Sequence, residues 1–293
     1  MPIVYKVSED QASKEKATNY LCDDEHTNIK PTVAYFHINA VRVWARRPAI
    51  IGSRGYRMPE VAIILPAYNE AKRLEKTVER VAGEMNDTGI TYEIIIAEDG
   101  SKDGTDAIAA RLAQQNPIVR HIHSTERSGR GRALNRSFAA TDADIVIYCD
   151  VDLATDTKHI RQLIDAIRGG YDVATGSRLM RDSDVERPFN REFASRGYNY
   201  LVRLMLRSKI YDHQCGFKAF NRKTVTPLLS EIGDTHWFWD TELLVRAQRK
   251  SMKVCEFPVY WRHGGATTVN LKRDVFYMGS RVFRLWFDLM RGR

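Results

Sequence analysis

The sequence predicts an α/β fold, a mainly parallel sheet with helices on both faces. Two observations carry this. From Val61 onward, short apolar runs alternate with amphipathic helical patterns, the rhythm of parallel strands joined by crossover helices. Charged clusters then gather where those apolar runs end, which is where open α/β sheets place their ligands.

Each element has its own signature. "VAIILPAY" (61–68) is too continuously apolar for a half-exposed strand and reads as a buried one. In "NEAKRLEKTVERVAGEM", Leu74, Val78 and Val81 fall on one helical face. "YEIIIAED" (92–99) is a second strand, followed by "GSKDGTDAIAARLAQQ", where Ser101, Asp103 or Thr105 is placed to cap a helix. "IVRHIHS" (118–124) gives a third strand, "GRGRALNRSFAAT" a glycine-started helix and "ADIVIYCD" a fourth strand. A helix near 157–169 and a strand "YDVATGSR" (171–178) complete the rhythm.

After Arg178 the character changes. Residues 190–210 interleave Phe193, Leu201, Leu204 and Met205 with Arg191, Arg196, Arg203 and Arg207. In the C-terminal segment 269–293, Val275, Met278, Val282, Leu285, Trp286 and Leu289 share a helical face, with Arg281, Arg284, Arg291 and Arg293 around it. Basic amphipathic helices of this kind lie on anionic membranes or pack on their own domain. The expected organisation is therefore an extension (1–58), an α/β domain (59–268) and a C-terminal amphipathic helix (269–293). Within the extension, "TVAYFHINAVRVWARR" suits an amphipathic helix and "GSRGYRMPE" a linker.

The 293 residues suffice for one large α/β domain with appendages. No apolar run approaches the ~20 residues that cross a bilayer, and "MPIVYKVSEDQ" has no signal-peptide core. The expectation is a cytoplasmic protein, peripherally attached to a membrane. Cys22, Cys149, Cys215 and Cys255 are scattered without a CxxC pair, which argues for reduced thiols and against a zinc site. A net charge of +8 suits an anionic partner. Nucleic acid is not expected, because the acidic strand ends would repel its phosphates.

The fourth strand ends on Asp150 and Asp152. Two carboxylates at a buried strand end call for a proton or a cation between them, unless they merely form a polar turn before the next helix. A D-x-D at a strand end suits a hard divalent ion, Mg2+ or Mn2+, that also ligates a diphosphate. "SGRGRALN" lacks the GxxxxGK[ST] spacing of a phosphate loop, and the first strand ends in "PAYNE" rather than a nicotinamide fingerprint.

Taken in order, "LPAYNE", "EDGSKDGT", the D-x-D, "GSR", "DHQCGFKAF" and "FWDTELLVRA" resemble the family 2 glycosyltransferases of the GT-A fold, nearest to the dolichyl-phosphate mannose and glucose synthases. The resemblance spans roughly residues 60–265. It implies inverting, metal-dependent transfer of a hexose from a UDP- or GDP-linked donor to a polyprenyl or dolichyl phosphate. On that resemblance Pro66, Tyr68 and Glu70 line the nucleoside pocket, and Asp99 bonds the base. Asp150 faces the ribose or sugar, and Asp152 ligates the metal. Arg178 and Arg196 hold the lipid phosphate, Gln214 and Lys218 contact donor or acceptor, and Asp240 sits where relatives place a catalytic carboxylate. Where mannose synthases often read D-A-D-L-Q, Ala154 replaces the glutamine. His263 then becomes the candidate third metal ligand, and the small residue leans toward the glucose branch. A hydroxyl acceptor, with Asp240 as general base, is the alternative within the same chemistry. For Asp240 the plainer role is a helix N-cap.

Overall fold

The computed structural model describes residues 58–186, 188–262 and 271–292. The expectations for the extension and for His263 fall outside them. In chain order the elements are β1 (Val61–Ala67), α1 (Leu74–Asn86), β2 (Tyr92–Glu98), α2 (Thr105–Gln115), β3 (Val119–Ile122), α3 (Arg130–Ala140), β4 (Ile145–Cys149), α4 (Ile160–Arg168) and β5 (Val173–Ser177). There follow β6 (Asp184–Glu186), α5 (Phe189–Leu206), β7 (Phe217–Asn221), α6 (Arg222–Leu229), α7 (Trp239–Arg249), β8 (Val254–Pro258), β9 (Tyr260–Arg262) and α8 (Leu271–Met290).

Seven strands form one sheet in the order β3-β2-β1-β4-β7-β5-β8, and β6 pairs with β9 in a small second sheet. The sheet divides two apolar layers. Val61, Ile63 and Leu65 of β1 face α1, α2 and α4, whereas Ala62 and Ile64 face α3, α6 and α7. Strands covered on both sides must be apolar throughout, and Val61 to Leu65 are all fully buried. Helix α4 shows the matching stripe, with Ile160, Leu163, Ile164 and Ile167 buried at three- and four-residue spacing.

One strand departs from the expected parallel order. β7 lies antiparallel between β4 and β5, pairing Tyr148 with Lys218 and Thr175 with the same lysine. Its alternation puts Phe217 and Ala219 in one layer and Phe220 in the other. Lys218 shares the side of Phe220 and so points toward α7.

Each amphipathic segment packs one face on the domain, one of the two roles expected for such helices. Met278, Val282 and Leu285 of α8, part of the helical face marked in the sequence, pack against Val202 and Leu206 of α5 and Phe238 and Val245 beside and within α7. What α8 exposes is a second stripe, Phe276, Phe283, Phe287 and Met290. Helix α5 likewise buries Val202 and Leu206 but exposes Phe193, Tyr200 and Leu204. Both exposed sets follow i, i+7, i+11 spacing, so each forms one face of its helix.

Candidate active site

The loops after β1, β2 and β4 meet at the carboxyl edge of the sheet. The "EDGSKDGT" segment serves as scaffolding there. Ser101 Oγ accepts from the Asn69 amide (2.9 Å), Thr105 Oγ1 from Glu70 (2.8 Å) and Asp103 Oδ2 from Ala71 (3.1 Å). The expected cap of α2 is met in part, since Asp103 Oδ1 also accepts from the Thr105 amide that opens the helix (3.1 Å). Gly104 occupies the N-cap position itself, and the three side chains also fasten the loop that carries Tyr68 and Glu70.

Asp99, expected to bond a base, is committed to protein. Its carboxylate accepts from Ser128 N (3.0 Å), Ser128 Oγ (2.6 Å) and Gly129 N (2.8 Å). Burial opposes the charge, but these bonds hold the Asp99 carboxyl below its ordinary range. They also shape the turn into α3, where Gly129 adopts φ +101°, a conformation costly for any side chain. Tyr68 is half-buried, and the Arg127 guanidinium lies 4.0 Å above its ring. Pro66 is half-buried beside it.

The α3 turn delivers Arg130. Its Nη1 sits 2.6 Å from Asp150 Oδ1, while its Nε and Nη2 are buried with no hydrogen-bond partner among the described residues. Sequence reasoning missed this residue because it dismissed the glycine loop for lacking phosphate-loop spacing. The alternation of Arg and Gly in "SGRGR" was the available signal. Enclosure in the cleft raises the Asp150 carboxyl despite Arg130, and Asp152 adds to the rise. Glu70 is raised as well, by burial first and then by Asp152, Asp150 and Asp103, against the pull of Arg73. Three carboxylates from two strand ends thus crowd one another.

Asp152 Oδ1 accepts from the Ala154 amide (3.1 Å), so it also closes the turn in which Leu153 has φ +47°. Gly216, in "QCGFK", has a steric reason: a Cβ there would overlap the Asp150 carboxylate. The only donor set these residues offer is carboxylate oxygen. Mutually repelling oxygens fit a hard divalent cation.

Several residues expected to meet ligands have internal partners. Lys218 is fully buried, its Nζ 3.0 Å from Asp240 and 3.1 Å from the Tyr148 hydroxyl, and it also donates to the Cys215 carbonyl. It supports Asp240 rather than reaching a substrate. Asp240 is not an N-cap, since Phe238 holds that position. It is buried in the first turn of α7 and accepts from Tyr148. Arg178 forks onto Asp212, Nε to Oδ2 (2.7 Å) and Nη2 to Oδ1 (2.9 Å). Burial alone would raise the Asp212 carboxyl, yet Arg178 holds it well below its usual range. Arg196 is exposed on α5 and pairs with Glu192 one turn away. The amide nitrogen of the Gln214 side chain lies 3.9 Å from the Met278 sulfur, toward α8.

The sheet order, with carboxylates in the loops after β1 and β4, is that of a GT-A fold. The model of the glycosyl transferase family 2 domain matches residues 62–227, and the chain belongs to that family. Glycosyltransferase AglD of Haloferax volcanii is 50% identical over 248 residues, 83% of this chain but 39% of AglD. Dolichyl-phosphate beta-glucosyltransferase of Drosophila melanogaster is 27% identical over 248 residues, 80% of this chain and 76% of the relative. Among solved structures, glucosyl-3-phosphoglycerate synthase from Mycobacterium tuberculosis, in complex with Mn2+, UDP and glucosyl-3-phosphoglycerate, shares the fold. Its TM-score is 0.57 at 19% identity, covering 78% of this chain and 79% of that one.

Proposed function

We propose that this chain transfers a hexose, glucose by preference, from a nucleotide sugar to a polyprenyl phosphate at a membrane surface. The observation that carries the reading is the meeting of Glu70, Asp150 and Asp152 with Arg130, whose Nε and Nη2 have no hydrogen-bond partner among the described residues. The kinship with dolichyl-phosphate glucosyltransferases supports the acceptor and the sugar. Mg2+ or Mn2+ held by Asp150 and Asp152 would neutralise charge on the donor diphosphate.

The protein's own groups do the rest. Tyr68 and Arg127 offer a stacked wall for a nucleoside. Arg130 presents fixed, permanently charged donors to a phosphate. The acceptor oxygen attacks the anomeric carbon as the bond to the diphosphate oxygen breaks, which inverts the carbon. A phosphate nucleophile is already an anion, so positioning and charge stabilisation suffice without a general base. The burial of Asp240 against Lys218 and Tyr148 favours this acceptor over a hydroxyl, which would need a base in the cleft. Arg196, exposed on α5, is proposed to meet the lipid phosphate, with Arg130 taking most of the role expected of Arg178.

The membrane face is proposed to be the exposed stripes of α5 and α8, with Arg203, Arg207, Arg284 and Arg291 for anionic headgroups. A screen of UDP-glucose, UDP-galactose and GDP-mannose against polyprenyl phosphate and a polyprenol, with Mn2+ or Mg2+, tests the reading. Glucosyl phospholipid that disappears with EDTA or in Asp152→Ala is the expected product. Transfer to the polyprenol alone would establish the hydroxyl reading instead.

A further inference from the structure

On the α2 side of the sheet, away from Arg130, four metal-binding side chains converge. Glu98 ends β2, Asp106 lies in the first turn of α2, and His121 and His123 flank the end of β3. Their placement follows from the strand period. Ile96 pairs with His121, so two residues further on Glu98 stands beside His123, and the two histidines share a face. His123 Nδ1 is 2.7 Å from Glu98 Oε2 and 2.9 Å from Asp106 Oδ1, and His121 Nε2 is 3.3 Å from the same Asp106 oxygen. One ligand atom from each of the four lies within 4.8 Å of all the others.

We propose that Glu98, Asp106, His121 and His123 form a binding site for a transition-metal dication of the Zn2+ class, separate from the carboxylate site at Asp150 and Asp152. Bonds of about 2.0–2.2 Å in a tetrahedron set ligand atoms about 3.3–3.6 Å apart. The 3.3 Å pair of His121 and Asp106 matches, and the 2.7 and 2.9 Å pairs at His123 are hydrogen-bonded contacts that would open by less than about 1 Å around an ion. Two imidazoles select Zn2+, Co2+ or Ni2+ over the Mg2+ and Mn2+ that suit all-carboxylate sites.

A second observation points the same way. Among the described residues His121 Nε2 is buried without a hydrogen-bond partner, though it faces the Asp106 oxygen. The second oxygen of Glu98 is held by the Ser101 amide (2.5 Å), which orients the first toward His123. Asp106 and His123 are each nearly half exposed, so an ion has an entry path. The scattered cysteines argued against zinc, but that argument reaches only thiolate sites, and no ligand here is a cysteine. A bound ion would tie β2, β3 and α2 together beside Asp99, which anchors the turn into Arg130.

The test uses the full chain, stripped of metal and free of nucleotide. One equivalent of Zn2+ should bind by calorimetry and raise the melting temperature by several degrees. Co2+ should give the intense visible bands of a four-coordinate ion, and Zn2+ should bleach them. His123→Gln changes an exposed residue, and its melt without metal reports its fold. It should lose at least tenfold in Zn2+ affinity, as should His121→Gln, while Asp152→Asn keeps the wild-type affinity. Absence of Zn2+ binding would overturn the proposal. So would binding that survives the double histidine change, or binding lost in Asp152→Asn.

Discussion

At the residue scale, Arg178 and Asp212 show how a reading of a motif and the packing around it can part. The guanidinium in "GSR" matched an acceptor-phosphate position, but Asp212 is fully buried and depends on it. Arg178→Ala would strand a buried carboxylate, at a cost of about 3–5 kcal/mol. Chemical denaturation should show that loss, and adding Asp212→Asn should recover much of it. Glu70 gives the opposite sign. Its carboxyl is raised in the folded protein, so the native state binds the proton more tightly than the unfolded chain. The ionised group therefore weakens the fold above its raised folded pKa. The handicap fades as pH falls through that value toward the unfolded one. Thermal melts of Glu70→Gln at neutral pH should exceed wild type, with the difference closing in acid. A constant difference across pH would contradict the charge argument.

At the scale of elements, β1 to β5 and their helices were legible because buried strands and amphipathic helices write their periods directly into the chain. β7 was not. "GFKAF" carries a lysine at a central position, and the neighbouring α7 carboxylate, with the Tyr148 hydroxyl and the Cys215 carbonyl, makes a buried lysine tolerable there. The D-x-D was legible as an acidic strand end, whereas its arginine partner was hidden in a loop without a recognised spacing. Helix α8 was legible as amphipathic but its second stripe, Phe276, Phe283, Phe287 and Met290, was not, since the side that α5 covers is not marked in a stretch apolar on both sides. The two faces make distinct predictions. Leu285→Ala removes packing and should cost about 2–5 kcal/mol, seen as earlier denaturation. Phe283→Ser with Phe287→Ser should leave stability nearly unchanged but reduce binding to anionic vesicles in sedimentation assays. Wild-type binding should weaken with salt.

At the scale of the whole molecule, the sheet order separates neighbours in space from neighbours in time. β1 to β4 form through local crossovers, but the outer edge of β4 waits for β7, which emerges about seventy residues later and after β5. Until then Ile145 to Cys149 present unpaired backbone along an apolar strand, and β5 is the nearest candidate to occupy the wrong berth. Long-range closure of this kind slows folding and leaves an adhesive edge open. Refolding from urea should accordingly show a slow phase whose yield falls as protein concentration rises, measured by light scattering. A chain ending at residue 210 should aggregate at concentrations where the whole protein stays clear. The strand that carries Lys218 beneath the cleft thus fills the middle of the sheet late, with only β8 still to follow, so on the ribosome the catalytic edge is completed only after the sheet has been held open.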